Sequence, residues 1–254
     1  MKRTITYFLM AAALLCTGCR TVQYHVTGVE RTRVAVDSRY DVPNAEVEQF
    51  MAPYRVRVDS QMKPVVGRTD SYLDAYRPES PLSNLLPDIF VWAGEQYGEH
   101  PDFGVYNIGG IRAALPKGDV TIGDVVSVAP FENKIVFVTL TGSKVSELMS
   151  QIASRGGEGL SREVRLVITA DKKVKSVTVG GQPIDPDREY RIATIDYVAQ
   201  GNDDMVAFKS ATNVKTPGHD EDLNREVIIR YFQEKMKNGE VVSATTDGRI
   251  IVEE

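Results

Sequence analysis

The pattern of apolar residues predicts an α+β (mixed α/β) fold: a layered mixed β-sheet with flanking helices. Three observations carry that prediction. Runs with period-two alternation and runs with three- and four-residue spacing interleave along the chain. Several strand-like runs are close enough together to form hairpins, which a purely parallel sheet does not contain. The chain has 254 residues, 42% of them hydrophobic and 26% charged, which suits one globular body with a sizeable core. No internal repeat, low-complexity tract or second domain is visible.

The elements follow in order. Residues 1–18 read as a signal peptide: Lys2 and Arg3 precede an apolar run from Tyr7 to Cys16 that is too short for a stable membrane anchor. The small pair Thr17-Gly18 before Cys19 resembles a bacterial lipobox, with Cys16 where a leucine is more usual. That resemblance implies cleavage before Cys19, lipidation of its thiol, and attachment to the bacterial cell envelope on the periplasmic or surface side. Loss of Lys2 and Arg3 would take the formal charge from −5 to −7. Residues 19–43 form a lipid-anchored tether, with a short strand expected over 26–36, and residues 44–254 form the domain.

Within the domain, Val47, Phe50, Met51, Tyr54, Val58 and Met62 are spaced for an amphipathic helix over 44–63 that contains Pro53. A short strand at Val65-Val66-Gly67 follows. Ser80 and Pro81 open a helix over 81–97, in which Pro87 predicts a kink or a later start. A strand at 103–107 runs into Gly109-Gly110, and a short helix lies within 119–128. The clearest strand is 134–141, and a helix over 143–154 follows Gly142. Strands are expected at 163–169, 173–179 and 189–195, with Gly180-Gly181 turning between the last two. A helix over 221–237 stops at Gly239, and a last strand covers 248–252.

Charge and composition exclude several functions. With 30 Lys+Arg against 35 Asp+Glu, the chain is not a globally basic nucleic-acid binder, and no nucleic-acid partner is expected. Two Cys and three His cannot supply a disulfide framework and make a Cys/His metal centre improbable. The sequence lacks a G-x-S-x-G elbow, a P-loop and an H-E-x-x-H pair. The cluster Gly218-His219-Asp220-Glu221-Asp222 resembles a ligand set, but acids in a first helical turn complement the helix dipole. No cofactor is expected in this chain.

Three loop segments carry chemistry instead. In the first, Tyr106 to Thr121, Asn107 is followed by two glycines and then Arg112. Glycines let backbone approach a ligand closely, while Asn and Arg give directed hydrogen bonds. In the second, Ala129 to Gly142, Pro130 fixes the approach to Phe131, which is either a core ring or one standing outside the next strand. The third, Ala193 to Met205, sets Tyr197 beside a glycine-containing loop with Asp203 and Asp204. A carboxylate can accept both hydroxyls of a ribose, and two aromatic rings can sandwich a base.

In this order and spacing, N-x-G-G-I-R, P-F-x-N before a strand ending in T-G, and Y-R-x-A-T leading to an aromatic and an acidic glycine loop resemble the C-terminal domain of the 5′-nucleotidase family, over roughly residues 60–254. The resemblance implies a substrate-binding role. Asn107 and Arg112 would hold polar groups of the nucleotide. Phe131 and Tyr197 would sandwich the base, with Asn133 at its edge, and Asp203 would bind the ribose hydroxyls. Arg77 lies near the place of another family arginine. The family's loop is usually G-G-D-G, whereas here it reads Gly201-Asn202-Asp203-Asp204, so the loop keeps the family's shape only if Asn202 adopts φ > 0, and a second acid stands beside the ribose position. The family's catalytic half, a metallophosphoesterase domain with two metals, has no counterpart in these motifs. The resemblance therefore implies hydrolysis only with a separate metallophosphoesterase subunit that carries the divalent metals. Two other readings stay open on sequence: a stand-alone nucleoside-binding lipoprotein, and a structural or interaction lipoprotein with a degenerate pocket.

Overall fold

A computed structural model describes residues 24–41, 43–218 and 222–253. The expected signal peptide, Cys19 with its lipidation motif, and His219 to Glu221 lie outside the described residues. The chain divides into two compact units, one ending at Phe50 and the other covering Met51–Glu254. No described helix is long and apolar enough to cross a membrane.

In the first unit, residues 24–37 have no regular secondary structure and are exposed throughout. The strand expected over 26–36 is absent from them, because a lone strand without a pairing partner leaves its backbone groups to water. One 3₁₀ turn, Ser38–Tyr40, follows, capped by Asp37, which accepts from the Arg39 backbone N–H at 3.1 Å. The unit boundary falls inside α1 (Ala45–Met62), whose first turn is capped by Asn44 Oδ1. None of the residues of α1 is buried, so its apolar stripe does not enter the core.

The second unit runs β1 (Val65–Thr69), α2 (Pro81–Ala93), β2 (Phe103–Tyr106), β3 (Gly118–Thr121), α3 (Ile122–Val128), β4 (Ile135–Thr141) and α4 (Gly142–Ser154). It continues through β5 (Gly159–Leu160), β6 (Val164–Thr169), β7 (Val174–Val179), β8 (Gln182–Pro183) and β9 (Glu189–Ile195). It closes with α5 (Asp196–Ala199), β10 (Thr212–Lys215), α6 (Asn224–Lys237) and β11 (Ile250–Glu253). The strands form three sheets: β1-β3, a central β10-β4-β9-β2-β5, and β11-β6-β7-β8. The central sheet is mixed, since β2 pairs parallel with β9 while β4 and β5 pair antiparallel with their neighbours.

Burial explains this order. β4 is buried along six consecutive residues and β9 along its last four, so both need cover on two faces and sit inside the sheet. Helix α2 supplies part of that cover, burying Leu82, Leu86, Ile89 and Phe90 in the same core as Phe103, Phe137, Ile192 and Phe232. It begins where expected: the Ser80 backbone N–H donates to Ser83 Oγ at 3.0 Å, and Pro81 occupies the first turn, where no donor is needed. Pro87 neither delays nor ends the helix and is itself buried within it. The Gly180-Gly181 turn does not lead into β9. It closes β7 onto the short β8, pairing Val179 with Gln182. Val179 is the one fully buried residue of β7, whereas five of the seven residues of β9 are buried in the central sheet, so burial separates the two.

Candidate functional site

Register places the functional loops. Because β2 and β9 run parallel, with Phe103 opposite Ile192, the chain leaves both strands at the same sheet edge. β4 is antiparallel to β9, with Ile135 opposite Ile195, so the segment entering β4 arrives at that edge too. β5 is antiparallel to β2, with Tyr106 opposite Gly159, which adds the segment before β5. Four stretches far apart in sequence thus converge: the turn after β2, the approach to β4, the α4–β5 connection and the loop after β9.

At this edge a cavity of about 300 Å³ is lined by Asn107, Gly109, Gly110, Phe131, Asn133, Tyr197 and Asp203. Its volume lies at the lower end of small-molecule sites. Phe131 is 47% exposed and Tyr197 38% exposed, so neither ring is core packing. The Phe131 loop is held at both ends of Asn133-Lys134. The Asn133 carbonyl accepts from the Asn224 N–H at 2.8 Å, and the Lys134 carbonyl accepts from the Asp196 N–H at 3.0 Å. Tyr197 sits on the single turn of α5 that follows β9.

Asn107 directly follows β2 and is buried. Its Nδ2 donates to Asp203 Oδ2 at 2.6 Å, linking the first and third loops, while its Oδ1 has no hydrogen-bond partner. Gly110 closes the turn behind it, where a Cβ would stand only 2.7 Å from that Oδ1. In the loop after β9, Gly201, Asp203 and Asp204 have φ of +81°, +52° and +58°. The left-handed backbone therefore falls on the two aspartates and not on Asn202, whose Nδ2 donates instead to the Tyr197 carbonyl at 2.8 Å. Aspartate tolerates this conformation better than most residues, and the charge contacts below hold it there.

Arg112 is exposed and does not line the cavity. Its Nη1 donates to the carbonyl of Gly109, a lining residue, at 3.3 Å. Arg77 does not line it either: its Nε donates to the Gly157 carbonyl at 2.8 Å, and its Nη2 pairs with Glu158. Of the residues expected at the site, Asn107, Phe131, Asn133, Tyr197 and Asp203 come together around the cavity, and Arg112 and Arg77 are not among its lining residues.

Two residues of the site escaped sequence reasoning. Glu158 is buried and accepts from the Ile108 backbone N–H at 2.6 Å on one oxygen and from Arg77 and Arg155 on the other. Arg155 bonds Glu158 at 2.6 Å through Nε, Asp204 at 3.1 Å through Nη1 and Asp203 at 3.5 Å through Nη2. Partial burial opposes the Arg155 charge, but the Glu158 hydrogen bond and the Asp203 and Asp204 carboxylates outweigh it and hold its pKa above the ordinary arginine value. The signal was present as Arg155-Gly156-Gly157-Glu158-Gly159, a glycine-rich link carrying two opposite charges. Among the described residues, no group of three or more His, Cys, Asp and Glu is placed to hold a metal ion.

The fold is a mixed sheet whose strand ends gather two half-exposed rings, a buried asparagine and a carboxylate around one small cavity, the form of a small-molecule site. The sequence profile described as 5′-nucleotidase, C-terminal domain, matches residues 65–210, and the chain belongs to that family. It is 30% identical over 228 residues to the trifunctional nucleotide phosphoesterase protein YfkN of Bacillus subtilis, covering 82% of this chain and 15% of that protein. It is 26% identical over 248 residues to the cell wall protein Lmo0130 of Listeria monocytogenes, covering 85% of this chain and 30% of that one. The crystal structure of a 5′-nucleotidase precursor from Thermus thermophilus aligns with a TM-score of 0.68 at 26% identity, covering 82% of this chain and 43% of that one. This chain spans only 15–35% of the length of the curated relatives it matches.

Proposed function

We propose that this chain is the nucleotide- or nucleoside-gripping half of a 5′-nucleotidase-type phosphohydrolase, acting with a metallophosphoesterase unit on a separate polypeptide. The observation that carries the reading is the meeting of Phe131 and Tyr197, from different loops, in one cavity with Asn107 and Asp203. The two rings offer π-faces to a base, and Asn133 lies where it can meet the base edge. Asp203 accepts hydroxyl protons from a ribose, oriented by the Asn107 amide. Arg112, exposed beside Gly109, is placed for the polar end of the ligand. The divalent metals of the partner unit would activate water and neutralise the phosphate; residues of this chain bind and orient.

The test is reconstitution. Phosphate release from 5′-nucleotides is measured with a purified metallophosphoesterase partner, alone and with this chain added. The expected result is a rate with both proteins well above the sum of the two alone. A rate equal to that of the partner alone defeats the split-enzyme reading, and nucleoside binding without a rate gain would point to a stand-alone binding protein.

We also propose that the chain is a lipoprotein of the cell envelope, anchored through Cys19, a reading supported by its similarity to a cell wall protein. Labelled fatty acid should be incorporated into the protein and not into Cys19→Ala. Label retained in that variant would place the lipid elsewhere.

A further inference from the structure

We infer that Asn224 is a positioning residue of the binding site: it ties the loop that carries Phe131 and Asn133 to Tyr106, the core residue directly before Asn107. The inference rests on the base-gripping reading above and adds a residue that touches no ligand. Residues 130–133 belong to no helix or strand, so the ring of Phe131 stands where the ties of its loop hold it. Three of those ties come from the start of α6. The Asn224 N–H donates to the Asn133 carbonyl at 2.8 Å. Leu223 and Lys134 form an isolated antiparallel bridge. Arg225 reaches Glu132 at 3.6 Å, but that carboxylate is exposed, so the pair contributes little. Helix α6 is itself firmly seated, since it buries Val227, Ile228, Ile229 and Phe232.

The Asn224 side chain joins this support to the other half of the cavity. It is fully buried, and its Nδ2 donates to the Tyr106 hydroxyl at 3.0 Å. Tyr106 is the last residue of β2, and its buried ring packs against Phe90 with centroids 5.6 Å apart, so the core fixes where that hydroxyl lies. Asn107 follows at once, and its amide holds Asp203. One side chain thereby links the loop of Phe131 and Asn133 to the turn that carries Asn107 and, through it, Asp203. The Asn224 Oδ1 has no hydrogen-bond partner among the described residues. A buried carbonyl oxygen left unmet destabilises a fold, and a leucine, with the same branched shape, would avoid that. Stability alone does not account for an amide at this position, whereas the link to Tyr106 does.

Tyr106→Phe and Asn224→Ala cut the link from either side, and both leave the Asn224 N–H in place. Amide hydrogen exchange reads the loop without ligand. The Asn224 and Asp196 N–H groups, which donate to the Asn133 and Lys134 carbonyls, should exchange at least about fivefold faster in both variants, relative to the β4–β9 amides of Phe137 and Ala193. Titration calorimetry with adenosine, guanosine, uridine and their 5′-monophosphates reads the site. The Kd of the ligand that binds most tightly should rise at least about fivefold in each variant, and by no more in the double variant, because both changes remove one link. Tyr106→Phe keeps the buried ring and decides the matter alone if Asn224→Ala does not fold. A Kd within about twofold of wild type in the folded single variants overturns this inference and leaves the parent reading in place. Exchange that quickens equally in the loop and in the β4–β9 ladder assigns the pair to stability and overturns it too. Effects on Kd that multiply in the double variant overturn the shared link. Absence of heat from the wild-type protein with every one of these ligands overturns both readings.

Discussion

Removing the Glu158 carboxylate should unlock the loops that build the cavity. The group accepts from the Ile108 N–H at 2.6 Å and from the guanidiniums of Arg77 and Arg155, and the residue is 1% exposed. Glu158→Ala orphans that backbone N–H, at about 1–3 kcal/mol, and strips two cations of a shared partner. Breaking a fully buried ion pair costs about 3–5 kcal/mol. Here the Arg77 and Arg155 side chains keep 35% and 22% of their exposure, so water recovers part of that loss. The expected destabilisation is about 3 kcal/mol, which for a chain of this size lowers Tm by about 6–12 °C. Glu158→Gln keeps an acceptor for Ile108 and exchanges charge-assisted bonds for neutral ones, so it should cost about half as much. Urea denaturation followed by circular dichroism, with m-values compared, reads both variants. A loss below about 1 kcal/mol for Glu158→Ala, or an equal loss for both variants, would refute the claim that this carboxylate holds the site together.

Other outcomes follow from the same geometry. Phe131→Ala should weaken nucleoside binding by about 1–3 kcal/mol in calorimetry. It should leave Tm nearly unchanged in the same preparation, since the ring is 47% exposed. Gly157→Ala should destabilise the fold by about 2 kcal/mol or more in urea. At φ +108° its Cβ would stand 2.4 Å from the Pro78 carbonyl oxygen. Glu99 has a lowered pKa, chiefly from the Arg191 hydrogen bond at 2.6 Å, opposed by burial and helped by Lys215. Its stabilisation is therefore present above the unfolded glutamate pKa of about 4.3 and lost as pH falls through the lower folded value. Glu99→Gln should flatten that acid limb in pH-dependent denaturation, and an unchanged limb would assign the acid sensitivity to other carboxylates.

The elements with strong periodicity were legible in the sequence. The strand at 134–141 and the helix at 143–154 coincide closely with β4 and α4, because six consecutive buried residues and a stripe of Val145, Leu148, Met149 and Ile152 leave little choice. Pairs held together by distant partners were not legible. β3, β5 and β10 have two to four residues each and exist only because β1, β2 and β4 pair with them. The apolar stripe of α1 forms a helix as its spacing requires, yet it buries nothing, since spacing fixes conformation and not what covers the face.

For the site, the motifs of the three loops and their resemblance to the family named Asn107, Phe131, Asn133, Tyr197 and Asp203, and the fold brings these five around one cavity. Whether Phe131 faced core or solvent, and which charges opposed which, depended on the parallel pairing of β2 with β9 and the antiparallel pairing of β5 with β2. Those registers bring Glu158 and Arg155 under the Asp203 loop and draw Arg77 away from the cavity. One-dimensional spacing encodes which groups are available, whereas Coulomb and desolvation terms depend on distance and burial, and only the folded chain sets those.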